Sequence, residues 1–468
     1  MPHSRFRSPL TERYASNEMA EIFSDQKRYS TFRKLWLKLA IAQKKIGLDI
    51  SDVQINEMKA SINDIDFLKV HEYEKKFRHD VVAHIHAFGD KCPKAKSIIH
   101  LGATSCYVTD NADLILMREG IKLLLSKLIK IIHFLSDFAK KEAATACIGY
   151  THFQPAQPTT VGKRACLWLQ DLLMDFNQGK NLLGSIPFLG VKGATGTQAS
   201  FLNLFDGDEQ KVKELDQSVA SSFGFKKTLI ISGQTYSRKI DCLIMQFLEN
   251  VAVTTHKLAT DLRLLSHTQE IREKFGKDQV GSSAMPYKKN PIYAERICSL
   301  ARFLVSLSQN PSYTAATQWL ERSLDDSANR RISMPEAFLT ADSICNITFV
   351  VVQSLSVNYE KINSQINESL PYFCMENILM MAVKKGADRQ KIHEELRKLA
   401  QSDLKEFFKE IENRKEFGLS KEDIKVACDI KNLTGRAESQ VYEFLEKEVF
   451  PVIKDNQNLQ ATIPVLDV

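Results

Sequence analysis

Apolar residues recur at helical spacing along most of the chain, and the repeats are long. Between Asp110 and Ala146 there is one Gly and no Pro, and Ile121, Leu125, Leu128, Ile132 and Leu135 form one stripe. A helix over that span is roughly 50 Å long. Comparable segments follow at about 158–183, 236–270, 291–309 and 336–369. The spans 236–270 and 336–369 contain neither Gly nor Pro, and Ser333-Met334-Pro335-Glu336 reads as a capping box opening the last one. Before these, residues 28–46 place Phe32, Leu35, Trp36, Leu39 and Ala40 on one helical face. Strand-like alternation is confined to pieces such as Thr228-Leu229-Ile230-Ile231. The pattern predicts an all-α protein with a central bundle of about five long helices. Three units follow from it: 1–104 with short charged helices, 105–357 with the long ones, and a shorter-pitched, more charged 358–468. Helices this long, apolar over more than one face, predict a homo-oligomer that covers them.

Composition narrows the class without naming a function. Of 468 residues, 44% are hydrophobic and 26% charged, which is ordinary for a globular protein. The net charge of +6 is too small to argue for nucleic acid, though it suits an anionic small substrate. Nine scattered cysteines, with no C-x-x-C pair, read as reduced thiols and predict a cytoplasmic protein. Met1-Pro2-His3-Ser4-Arg5-Phe6-Arg7 lacks the apolar region of a signal peptide, and no uninterrupted apolar run is long enough to predict a membrane span.

The chemistry is concentrated in the irregular pieces. Gly281-Ser282-Ser283-Ala284-Met285-Pro286-Tyr287-Lys288-Lys289-Asn290-Pro291 separates two long helical segments. Asn290 as N-cap and Pro291 at the first helical position predict a helix start there, whose free N–H groups favour an anion. His152 lies in a loop bracketed by Pro155 and Pro158, beside Thr151 and Gln154. Arg322, Arg330 and Arg331 surround Ser323 and Ser327, a phosphate or carboxylate site if not simply solvated loop charge. His79, His84 and His86 lack metal-ligand spacing, so no metal is expected. The glycines of 190–196 follow no β-strand and are not a dinucleotide fingerprint.

Together these pieces resemble a known family. Gly281-Ser282-Ser283-x-Met285-Pro286-x-Lys288-x-Asn290-Pro291 is similar to the signature loop of the fumarase/aspartase superfamily. Thr151-His152 with Gln154, Ala156, Gln157 and Pro158 resembles its second conserved block, and Gly102-Ala103-Thr104-Ser105 its first. Within it, Arg7 to Leu10 with Arg13-Tyr14, Arg78-His79-Asp80, Ser232 to Arg238, Trp319 to Ser327 and Leu433-Thr434-Gly435-Arg436 look like the adenylosuccinate lyase branch. The likeness runs from about residue 5 to 450.

The resemblance implies a homotetramer with a twenty-helix core and active sites shared among three subunits. It implies an amidine-lyase reaction of purine synthesis, in which adenylosuccinate gives AMP and fumarate and SAICAR gives AICAR and fumarate, without metal or organic cofactor. Carried over residue by residue, His152 is the general acid and Ser282 the general base. Lys288 and Asn290 stabilise the developing carboxylate charge, and His79 orients substrate or assists His152. Arg13, Tyr14, Arg78, His79, Asp80, Thr104, Ser105, Thr151, Gln234, Arg296, Arg322, Ser327 and Arg331 become substrate contacts. A serine hydroxyl is by itself a poor base, so its surroundings, Lys288 and the helix N-terminus among them, must favour its ionised form. The alternatives are another lyase of the superfamily, such as argininosuccinate lyase or a fumarase, or a catalytically silent helical scaffold.

Overall fold

The computed structural model describes residue 4 and residues 6–275, 279–401 and 406–459. Met1, Pro2, His3 and Arg5 of the leader reading lie outside the described residues, as do the last nine residues of the C-terminal unit. Three helices build most of the N-terminal part: α1 (Asp25–Ile46), α2 (Phe67–Phe77) and α3 (Asp80–Lys91). The Ser24 hydroxyl caps α1 by accepting the Lys27 N–H, and Gly47 closes it with a φ of 114°. Phe32, Leu35, Trp36 and Leu39 are buried on the face that their spacing assigns.

The bundle consists of α4 (Ser105–Lys141), α5 (Val161–Ser185), α6 (Lys239–His267), α7 (Ile292–Leu307) and α8 (Asp326–Gln353). Helix α4 packs on α5 and α8, α6 packs on α5, α7 and α8, and α7 packs on α8, which closes the bundle. The stripe from Ile121 to Leu135 faces this core. Helix α8 is apolar and long enough to cross a membrane, yet 83% of its most apolar stretch is buried inside the fold. Its interior position, with Phe338, Ile344 and Cys345 fully covered, accounts for that composition. A second core, from Cys374 to Ala427, forms around α9 (Tyr359–Lys384) and α10 (Arg389–Leu399).

Three local expectations are corrected. The fifth long helix does not start at Ser333 or run through to 369. It begins at Asp326 and passes through Pro335, and the Ser333 hydroxyl bonds Asn329 instead of capping. Ion pairs to Arg238, Asp241 and Asp80 hold these first turns, and they outweigh the local capping signal. The break at 354–358 arises because β4 (Ser356–Val357) pairs with β3 (Ile271–Arg272), and Asn358 then caps α9. Finally, the segment around His152 is a hairpin of β1 (Ala146–Thr151) and β2 (Gln154–Thr160). The Thr228–Ile231 piece makes only an isolated bridge, Thr228 to Phe188.

Candidate active site

Three helices begin at one cleft of about 970 Å³. Their first residues line it: Asp80 of α3, Ser105 of α4, and Asp326 and Ser327 of α8. Each N-terminus brings the positive end of a helix dipole to the cleft, which favours anions. Of the residues singled out from sequence, the fold brings Arg78, His79, Asp80, Thr104, Ser105, Gln234, Arg322, Ser327 and Arg331 to this cleft.

Beneath the cleft lies a neutral block of buried charge. Arg238 is bonded to Asp110 at 2.9 and 3.3 Å and to Asp326 at 2.8 Å. Arg330 pairs with Asp241 at 2.7 Å and Asp113 at 3.1 Å, Arg28 with Asp113 at 2.6 Å, and Arg322 with Asp326 at 2.7 Å. Burial opposes ionisation of Asp113, but Arg28, Arg330 and Arg238 outweigh it and keep its carboxyl below the ordinary range. Arg330 is therefore part of the floor, which corrects its grouping with Arg322 and Arg331 as a ligand-binding arginine. Arg28, Asp110 and Arg238 also line the cleft and escape the sequence reading. Their signal was available: Asp110 and Asp113, one turn apart in an apolar stripe, require buried cations.

At the mouth, Arg331 bonds Asp80 at 2.6 Å. Burial acts against the Asp80 carboxylate, but the Val81 N–H and Arg331 prevail and hold its pKa low. His79 caps α3: its Nδ1 accepts the Val82 N–H at 3.4 Å, which leaves the proton of the neutral ring on Nε2. That Nε2 faces the Ser105 hydroxyl at 3.4 Å. Among the described residues Arg78 has no carboxylate partner, and it holds a left-handed φ of 52° at the end of α2.

The Gln234 amide is fixed at both ends. Its Oε1 accepts from the Cys106 thiol at 3.3 Å, and its Nε2 donates to the Ala194 carbonyl at 3.1 Å. Burial pushes that thiol up to about 12, so it stays a donor. The glycine-rich segment 190–196 has a structural explanation here. Gly196 lies against the Ser232 and Gly233 carbonyls, and Gly233 against the Glu321 backbone, so three loops pack backbone to backbone.

Two further groups stand apart from the cleft. His152 and Phe153 form the two-residue turn of the β1–β2 hairpin, with Thr151 paired to Gln154. Both take positive φ, 52° and 57°, which only the mirror-image hairpin turn requires. Thr151, His152 and Phe153 are all exposed. The other group is the loop 281–291. Its neck is closed by Gly281, where a Cβ would overlap the Lys288 carbonyl, and by Asn290 Nδ2, which donates to the Gly281 carbonyl at 2.8 Å. Within it, the Ser282 hydroxyl oxygen accepts the N–H groups of Ala284 at 3.3 Å and Met285 at 3.1 Å.

The loop corrects the reading of its own helix start. Pro291 is the cap residue of α7, and Asn290 turns its side chain back to Gly281. The free N–H groups of Tyr293 and Ala294 are taken by Glu273, at 3.0 Å each, so the helix end is already occupied by a carboxylate. Arg13 and Tyr14 sit on a short helical turn at Leu10–Tyr14, with the guanidinium 5.9 Å from the ring. Arg296 on α7 stands 5.8 Å from the Tyr293 ring, and its buried Nη1 has no hydrogen-bond partner among the described residues.

The closed bundle of long helices is a fold that solved structures share. The 3-carboxy-cis,cis-muconate lactonizing enzyme of Pseudomonas putida superposes with a TM-score of 0.82 over 96% of this chain and 99% of its own, at 21% identity. A fumarate lyase of Mesorhizobium gives 0.80 over 93% and 99%, at 20% identity. Residues 35–304 match the family described as Lyase, and residues 371–444 the adenylosuccinate lyase C-terminus. The adenylosuccinate lyase of Saccharomyces cerevisiae is 46% identical, covering 96% of this chain and 95% of its own length. That of Schistosoma mansoni is 45% identical over 98% and 99%. The chain belongs to the adenylosuccinate lyase family, and it is an enzyme, a lyase.

Proposed function

We propose that the chain catalyses β-elimination of fumarate from adenylosuccinate, leaving AMP, and from SAICAR, leaving AICAR. The observation that carries this reading is the cleft where three helix N-termini meet Arg78, Arg322 and Arg331, which suits a substrate with one phosphate and two carboxylates. Arg13, Tyr14, Thr151, Gln234 and Arg296 complete the contacts.

Elimination removes a proton beside a carboxylate, stores charge on that carboxylate, and protonates the departing nitrogen. Ser282 takes the proton as its alkoxide. The N–H groups of Ala284 and Met285, both aimed at its oxygen, favour that ionised form, as does Lys288 on the same loop. Lys288 and the remaining N–H of Asn290 hold the charge on the carboxylate. His152 protonates the leaving nitrogen, and His79, with its proton on Nε2, orients the succinyl group beside Ser105.

We infer a homotetramer in which cleft, hairpin tip and 281–291 loop come from three different subunits. Exposed Leu167, Met174, Leu243, Val253 and Phe303 along α5, α6 and α7 support burial of these helices against symmetry mates. The three units 1–104, 105–357 and 358–468 fit this assembly, and the separate core around Cys374 supports the last of them. Nine unpaired cysteines support a cytoplasmic location.

The test is the absorbance change as purified protein cleaves adenylosuccinate. Activity on argininosuccinate or malate without activity on adenylosuccinate would sink the reading. Mixing inactive His152→Ala and Ser282→Ala proteins under subunit exchange restores turnover if these groups meet from different chains. A mixture that exchanges and stays dead counts against the shared site.

A further inference from the structure

His152 is carried at a tip that touches little, so its aim is set where the hairpin is attached. Strand β1 changes register between Ile148 and Tyr150, and a Cβ at the intervening Gly149 would stand 2.6 Å from the Gln157 carbonyl. On either side of that irregularity the strand is pinned from below. Arg164 Nη2 donates to the Ile148 carbonyl, and the Tyr150 hydroxyl donates to Glu270 Oε1 at 2.5 Å. Glu270 is 1% exposed, and among the described residues its Oε2 has only the Arg164 Nη1, at 3.5 Å, as a charge partner.

Glu270 is itself held rigidly. It follows α6, where Gln269 adopts a φ of 63° and the Glu270 N–H returns to the Leu265 carbonyl at 2.9 Å. Its own carbonyl accepts the Asn358 N–H at 2.8 Å, and Ile271 continues into the β3–β4 pair. A fixed carboxylate under the bundle thus grips the residue two positions before His152. Burial, and then the Glu270 carboxylate, push the Tyr150 hydroxyl above its ordinary value, so it remains a donor at every working pH.

We propose that Tyr150 and Glu270 are positioning residues for catalysis, fixing the direction in which the hairpin presents His152. The proposal rests on the reading of His152 as the general acid. Tyr150→Phe keeps the ring, which lies 5.9 Å from Phe153, and removes only the bond to Glu270.

The experiment compares Tyr150→Phe, Glu270→Gln, Glu270→Ala and His152→Ala in adenylosuccinate cleavage. Tyr73→Phe, which removes a tyrosine–carboxylate bond of 2.6 Å to Asp90 elsewhere, is the control. In Tyr150→Phe, kcat falls about tenfold to a hundredfold with KM within about twofold, as expected for a misplaced acid. The basic limb of its kcat–pH profile moves, which a loss of stability alone does not cause, while the control's kcat does not change. Glu270→Gln, whose amide oxygen still accepts from Tyr150, retains more kcat than Glu270→Ala. Wild-type kcat and pH profile in Tyr150→Phe beside an inactive His152→Ala would overturn the positioning role alone. Wild-type turnover in His152→Ala would instead remove the acid assignment, and this proposal with it.

Discussion

The Glu273 carboxylate caps the helix that follows the 281–291 loop, its Oε1 accepting the Tyr293 N–H at 3.0 Å. It belongs to the segment entering the loop, so entry and exit are tied together at the loop's foot. Glu273→Ala is expected to lose about 1 kcal/mol, the usual value of a cap, and to lower the melting temperature. The emptied helix end would then take up an anion. Added sulfate should raise the variant's melting temperature more than the wild type's, which thermal scans with and without the salt will show.

The neck of the same loop has no room for a methyl group. In Gly281→Ala the new Cβ overlaps the Lys288 carbonyl, so Ser282 and Lys288 move relative to each other. Turnover is expected to fall by about a hundredfold, as misplacement by an ångström does, while the bundle melts as before. Steady-state kinetics beside circular dichroism separates the two effects.

The hairpin turn stores backbone strain at Phe153, whose φ is 57°. The left-handed conformation costs an L-residue about 1–2 kcal/mol, and most for a β-branched one. Stability should therefore rank Phe153→Gly at or above wild type, and wild type above Phe153→Val by about 1 kcal/mol or more. Urea midpoints test the order. Val standing equal to Phe would show the turn to be unstrained.

One buried histidine, His84, and one half-buried, His100, make the N-terminal part acid-sensitive. Burial depresses His84 to about 4, with Arg33 adding to it, and depresses His100 to about 4. Both are neutral in the folded state where the unfolded chain, near 6.5, already binds a proton. Their contribution is thus fully present above pH 6.5 and is lost as pH falls toward 4, at most about 3 kcal/mol each. Protonating His100 also removes the acceptor for the Trp36 N–H, now bonded at 2.8 Å. His84→Phe, which preserves the stack on Tyr29, should flatten the loss between pH 7 and 5 in denaturant titrations.

What could be read from the chain divides along physical lines. The long helices were legible because Leu and Ile at helical spacing report burial directly, as Ile121 to Leu135 illustrate. Helix ends were not, because partners remote in sequence decide them. Ser333 looks like a cap but is overruled by ion pairs from Arg330 and Arg331, and Asn290 looks like one but is outcompeted by Glu273. The hairpin was hidden because Pro155 and Pro158 read as loop, whereas they sit in a short ribbon with a bulge. Motif residues such as Ser105, Arg322 and Arg331 stood out, and the cleft gathers them. Glu270 carries no local motif. Its importance lies only in what it touches.

The contact between Arg331 and Asp80 spans 251 positions of the chain, and that between the Ser16 N–H and Asp342 spans 326. Such pairs cannot form until most of the polypeptide exists. During synthesis Asp80 and Asp110 leave the ribosome unmatched and wait for Arg331 and Arg238 to follow. The anion cleft is thus among the last features to appear in the life of each chain. A product truncated before residue 326 would be rich in helix and carry Arg78 and His79, yet lack Ser327, Arg330 and Arg331 from the cleft.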